Sequence, residues 1–199
     1  MLWKNFSGVV KDGDHAFLGA SNYHWYNYDD EKLVTTYIKK LAVARGTALH
    51  DLACRLIKLK VRLPDKKNSL NQYVNDALDF DLRPEEKLYY SKFAFGTTDG
   101  INYKNGVLLI SDLKTGKTRT SFMQLKIYAA LFFLSYPEVS LKLVKKIELR
   151  IYQNGEIKLE TPELDDILPI MDKIKRYSRM LEELEAKYDE GFDSYRSGS

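Results

Sequence analysis

Phe95-Gly96-Thr97-Thr98-Asp99-Gly100-Ile101-Asn102-Tyr103-Lys104-Asn105-Gly106-Val107-Leu108-Leu109-Ile110-Ser111-Asp112-Leu113-Lys114 is the stretch on which the fold turns. Asn105-Gly106 is a strong short-range hairpin signal, because both residues tolerate positive φ. Its flanks, Phe95 to Tyr103 and Val107 to Leu113, are predicted to pair as antiparallel strands. Val107-Leu108-Leu109-Ile110 is apolar without alternation, which suits a central strand buried on both faces. Asp99 and Asp112 then lie on neighbouring strands, and Lys114, two residues on, shares a face with Asp112. Charges delivered by a buried strand must be exposed or paired.

Two carboxylates and an amine gathered in this way suit phosphodiester hydrolysis. Hard divalent cations such as Mg²⁺ prefer carboxylate oxygen and water and need few protein ligands. Such an ion acidifies its water and stabilises charge developing on a phosphate. A lysine beside it is placed to orient that water. Taken alone, Asp-x-Lys is a common tripeptide that also reads as a surface ion pair.

The flanking pattern predicts an α/β chain: a central mixed β-sheet flanked by helices. Glu31 to Lys60 has helical apolar periodicity, expected in two pieces around Gly46, and a second helix is predicted from Ser69 or Leu70 to Leu78. Lys87 to Phe95 reads as the first strand, and Lys146 to Gln153 with Glu156 to Glu160 as a hairpin about Asn154-Gly155. Between the third and fourth strands, Thr120 to Tyr136 reads as a crossover helix stopped before Pro137. A last helix runs from about Asp165 to Tyr188. The expected organisation is a single domain over residues 1–199, with a helical part at 22–80, a core at 87–160 and a C-terminal helix within 163–190.

In order along the chain, His50 follows Gly46-Thr47, Gly96 and Asp99 form Gly-x-x-Asp, Asp112-Leu113-Lys114 follows, and Gln124 and Tyr128 form a helical Gln-x-x-x-Tyr. The chain thereby resembles the RecB-like branch of the PD-(D/E)XK nuclease superfamily. Stretches such as Tyr89-Tyr90-Ser91 and Arg150-Ile151-Tyr152-Gln153 extend the likeness to the RecB-like exonucleases of bacteriophages. The resemblance implies a restriction-endonuclease-like core and a Mg²⁺- or Mn²⁺-dependent deoxyribonuclease. One or two ions would be held by Asp99 and Asp112, with His50 as a further ligand and the Leu113 carbonyl as a backbone one. Asp99, Asp112 and Lys114 would be the catalytic set, with Lys114 acting on the attacking water. Gln124 and Tyr128 would support the site or the nucleic-acid backbone, although spacing alone also allows Tyr128 a core role. Lys117, Arg119 and Arg45 are basic candidates for strand contact. An exonuclease of phage-type recombination or DNA processing is expected, with a junction-resolvase-like endonuclease or a catalytically silent nucleic-acid-binding protein as alternatives.

The single cysteine, Cys54, cannot build the four-thiolate site of the iron-sulfur members of that superfamily, including many CRISPR-associated ones, so no cluster is expected. Its apolar helical neighbours predict a buried structural thiol. The net charge is only +3, but its distribution is uneven. Lys32, Lys39, Lys40, Arg45, Arg55, Lys58, Lys60, Arg62 and Lys66 face only Glu31, Asp51 and Asp65 in the N-terminal helices, which suits one wall of a phosphate-tracking groove on DNA. The C-terminal helix is acidic and is expected on another face. Tyr128 to Leu134 is too short to span a bilayer, and the N-terminus lacks a signal-peptide layout. A cytoplasmic protein is expected, in the host cytoplasm if phage-encoded, with no membrane partner and with homo-oligomerisation left open.

Overall fold

The computed structural model describes residues 15–116 and 120–196. The chain divides into two compact units, Met1–Arg45 and Gly46–Ser199. In the first, a 3₁₀ segment at Ala20–Asn27 precedes helix α1, Asp30–Lys58, whose second half belongs to the other unit. Trp25 Nε1 donates to Gly19 O at 3.0 Å, and Phe17 packs edge-on against Tyr37.

The second unit carries α2 (Ser69–Asp79), β1 (Arg83–Ser91), β2 (Ala94–Lys104), β3 (Val107–Lys114), α3 (Met123–Ser135), β4 (Lys146–Gln153), β5 (Glu156–Glu160) and α4 (Leu164–Arg196). The strands form one sheet in the order β1-β2-β3-β4-β5. Only β3 and β4 are parallel, and α3 makes the crossover between them. This is the expected mixed sheet flanked by helices.

Strand β3 explains the two layers. Leu108 and Ile110 enter a core with α3 and α4, while Leu109 and Leu113 enter a second core with α2 and with Ala53 and Ile57 of α1. Full burial of each such aliphatic side chain is worth about 1.5–3 kcal/mol, so an unbroken apolar run is what a centre strand covered on both faces needs. The acidic helix α4 contributes Ile167 and Met171 to the α3 layer, on the face away from α2.

Four elements, α1, β1, α3 and α4, differ from expectation in their bounds. Helix α1 is continuous through Gly46, because a mid-helix glycine costs only about 1 kcal/mol and apolar positions continue on both sides. A Cβ at Gly46 would lie 2.8 Å from Thr115 Oγ1, so the glycine serves a close approach and not a break. Strand β1 begins four residues earlier than predicted and ends at Ser91, whose Oγ accepts from Phe93 N and bonds Ser178 Oγ. Pro84 is tolerated there because β1 is an edge strand. Helix α4 extends beyond the predicted end to Arg196, and α3 starts at Met123, where Ser121 Oγ accepts from the Met123 N–H. Cys54 is half-buried and not sealed in the core. No helix among the described residues is long and apolar enough to cross a membrane.

Helix α1 ends where Lys60 takes a φ of 55°, with Lys60 N donating to Ile57 O and Val61 N to Leu56 O. The β2–β3 turn places Asn105 and Gly106 at φ 55° and 82°. A Cβ on Gly106 would fall 2.5 Å from Leu143 O, so this turn is held both by its φ and by the segment preceding β4. Gly106→Ala should therefore lower the unfolding free energy by about 1–3 kcal/mol, read as a fall in urea midpoint, with Asn105→Gly well tolerated.

Candidate active site

An exchange of faces within β1 and β2 builds the site. Leu82, just before β1, packs in the α2 layer, yet Leu88, an even number of residues later, packs in the α3 layer. Regular alternation forbids this. The reversal centres on Glu85, whose φ is 54°. Strand β2 reverses with it: a Cβ on Gly96 would meet Tyr128 of α3, whereas one on Gly100 would meet Tyr73 and Leu82 on the α2 side. The register sets Pro84 against Gly100 and Glu86 against Thr98, so Glu85 and Asp99 face one another at the reversal.

Asp99 also stands where two strands part. The β2–β3 ladder ends at Gly100–Ser111, while β3 continues with β4 as far as Lys114–Gln153. Past that end the Leu113 N–H donates to Asp99 Oδ2 at 2.8 Å, a side-chain carboxylate replacing a strand carbonyl. The other oxygens of Asp99 are held as well. Oδ1 lies 3.2 Å from His50 Nδ1, and the main-chain O accepts from Tyr73 Oη at 2.6 Å. In a strand, the N–H and C=O of one residue point to the same side, so the Leu113 carbonyl points into the same fork.

Ligand atoms of His50, Glu85 and Asp99 all lie within 4.8 Å of one another. Sequence reasoning missed Glu85. Its signal is a position opposite Asp99, a row that a strand starting at Lys87 does not contain.

Asp112 belongs to a linked second group. Its carboxylate is buried, with Oδ1 accepting from Lys114 Nζ at 3.0 Å. Oδ2 is 3.0 Å from the same ammonium but outside hydrogen-bonding geometry, and it is buried without a hydrogen bond. Lys114 also donates to Gln124 Oε1 at 2.9 Å, and Gln124 Nε2 donates to Tyr128 Oη at 3.4 Å. Tyr128 lies against Gly96, where a Cβ would sit 2.8 Å from its Cε1. The glycine of Gly-x-x-Asp and the tyrosine of Gln-x-x-x-Tyr are therefore one packing contact.

The expected residues Asp99, Asp112, Lys114, His50, Leu113, Gln124 and Tyr128 are thus joined by contacts. Lys117 and Arg119 lie outside the described residues. Arg45 is an exposed residue of α1 that closes the first unit.

The electrostatics are those of crowded acids. The hydrogen bond to Asp99 pushes the His50 pKa up, outweighing the opposing effect of burial. Burial and then the charge of Asp99 raise Asp112, with Lys114 pulling the other way. Burial, again followed by Asp99, raises Glu85. All three are displaced towards the protonated form, and Oδ2 of Asp112, one of the three, is buried beside the Lys114 ammonium without a hydrogen bond. Two carboxylates and an imidazole with ligand atoms within 4.8 Å of one another are a donor set that fits a hard divalent cation, whose charge would relieve the repulsion among the acids. No family model, curated protein or solved structure matches the chain.

Adding a methyl at position 96 should displace the Tyr128 ring. Gly96→Ala is expected to cost about 1–3 kcal/mol in urea unfolding, and much less when made in a Tyr128→Ala background. Protonation supplies a further test. Raised pKa values give the folded protein stability that is complete below the ordinary values and is lost as pH rises through the raised ones. A cation competes with protons for the same donor atoms, so Mn²⁺ affinity by calorimetry should climb as pH rises through the raised values, with proton release. His50→Ala should remove the share of that climb that the imidazole contributes.

Proposed function

We propose that the chain is a divalent-metal-dependent nuclease of the PD-(D/E)XK type, RecB-like branch, acting on DNA and working from an end. The observation that carries this reading is the continuous path from Asp99 to Leu113, and from Asp112 through Lys114 and Gln124 to Tyr128, closed by the packing of Tyr128 on Gly96. Four short motifs, each common by itself, meet in a single constellation. The element order α1-α2-β1-β2-β3-α3-β4 supports a restriction-endonuclease-like core.

Asp99, Asp112, His50 and the Leu113 carbonyl would hold Mg²⁺ or Mn²⁺, with Glu85 as an added carboxylate. The bound ion would lower the pKa of a water and offset charge building on the phosphate. The protein's own groups do the positioning. Asp99 is locked by Leu113 N–H and Tyr73, so its Oδ1 and His50 keep a constant relation. Lys114 is aimed by two acceptors, Asp112 and Gln124. An ammonium carries three N–H donors, which leaves one to orient a water or a phosphate oxygen. Gln124 in turn is steadied by Tyr128.

Asp112→Asn and Lys114→Ala should each reduce Mn²⁺-dependent cleavage of end-labelled DNA by about 10²–10⁴-fold while leaving the urea midpoint near that of the parent. Linear DNA should be degraded, and covalently closed circles and RNA spared. Undiminished cleavage by both variants would remove the assignment. Cleavage of circles would turn it to an endonuclease, and DNA binding without measurable Mn²⁺ binding would turn it to a non-catalytic binding protein.

A further inference from the structure

The same exchange of faces that creates the site also leaves an aromatic platform in line with it. Gly96 is turned to Tyr128 and Leu88 lies in the α3 core, so their neighbours Phe95, Thr97, Lys87 and Tyr89 point to the opposite face. That face leads to Glu85 and Asp99, and so to His50. The register gives three successive rows: Tyr89 with Phe95, Lys87 with Thr97, and Glu85 opposite Asp99. Rows two residues apart are separated by about 6.6 Å, close to one nucleotide of an extended strand.

The outermost row is unusual. Tyr89 and Phe95 stack with centroids 6.4 Å apart and an interplanar angle of 24°, yet they are 60% and 66% exposed. Large aromatic rings are ordinarily buried, whereas neither Tyr89 nor Phe95 belongs to either hydrophobic core of the described residues. The middle row presents an exposed ammonium and a hydroxyl, the chemistry that receives a backbone phosphate. The inner row holds the carboxylates and the imidazole.

We propose that Tyr89 and Phe95 form a stacking platform for an unpaired nucleobase. The phosphate following that base rests on Lys87 and Thr97, and the next phosphate reaches Asp99 and Glu85. Resting on the nuclease reading above, this narrows the substrate to a strand whose end is unpaired, either single-stranded or frayed from a duplex. A base paired within a duplex has its faces covered by its neighbours and cannot lie flat on a pair of exposed rings.

The test pairs protein aromatics with DNA bases. Binding of a short single-stranded oligonucleotide is measured by fluorescence anisotropy in EDTA, where no cleavage occurs, with an abasic site walked along the strand. The parent protein should show one position at which base removal weakens binding roughly ten-fold, the scale of base–aromatic stacking. Phe95→Leu and Tyr89→Leu should bind the intact strand more weakly by a similar factor and lose sensitivity to the abasic site, while Phe95→Trp should keep both. Lys87→Gln should weaken all strands alike and reduce the salt dependence by about one charge. Mn²⁺-dependent cleavage by the parent, run in parallel, separates the two readings. Cleavage without any base-to-aromatic coupling overturns the platform alone. Coupling without cleavage supports the platform and overturns hydrolysis, and absence of binding to any strand overturns both.

Discussion

The hydrogen bond from the Leu113 N–H to the Asp99 carboxylate is the contact on which the rest depends. Two strands that have stopped pairing would expose unsatisfied main-chain groups, at a cost of about 1–3 kcal/mol for each buried one. Asp99 closes that gap with its side chain and so is fixed at the mouth of the fork. Everything nearby is placed relative to it: His50 by its Nδ1, Tyr73 by its hydroxyl, Glu85 by register and Asp112 by the adjoining strand. A carboxylate that would otherwise be free to rotate becomes part of the scaffold.

That arrangement carries an electrostatic penalty. Three acids and an imidazole share a partly desolvated corner, and all of those with a displaced pKa are displaced upward. Asp112 is the most constrained, because its strand buries it whether or not its second oxygen has a partner. The helix α3 residues Gln124 and Tyr128 ease the strain only indirectly, by holding the Lys114 ammonium that faces Asp112.

What could be read from the residues alone was whatever is local. Asn105-Gly106 and Asn154-Gly155 announce their turns through conformational preference, and the apolar run Val107 to Ile110 announces a centre strand. From those alone Asp99, Asp112 and Lys114 converge. Glu85 could not be found this way, because Pro84 disguised the start of β1 and the change of facing has no signature in hydrophobic alternation. The continuity of α1 was hidden for the opposite reason. Gly46 carries a strong local signal for interruption, but the glycine answers to Thr115, almost seventy positions away in the chain. Tertiary partners of that kind are invisible until the fold is known.

The matched reversal in β1 and β2 has an evolutionary consequence. Both strands turn over at the same row, so losing or gaining one residue between Leu82 and Leu88 would send half of β1 to the wrong layer unless β2 changed by one residue as well. In descendants of this chain, the quantity that must drift in concert across these two strands is spacing, and residue identity is comparatively free.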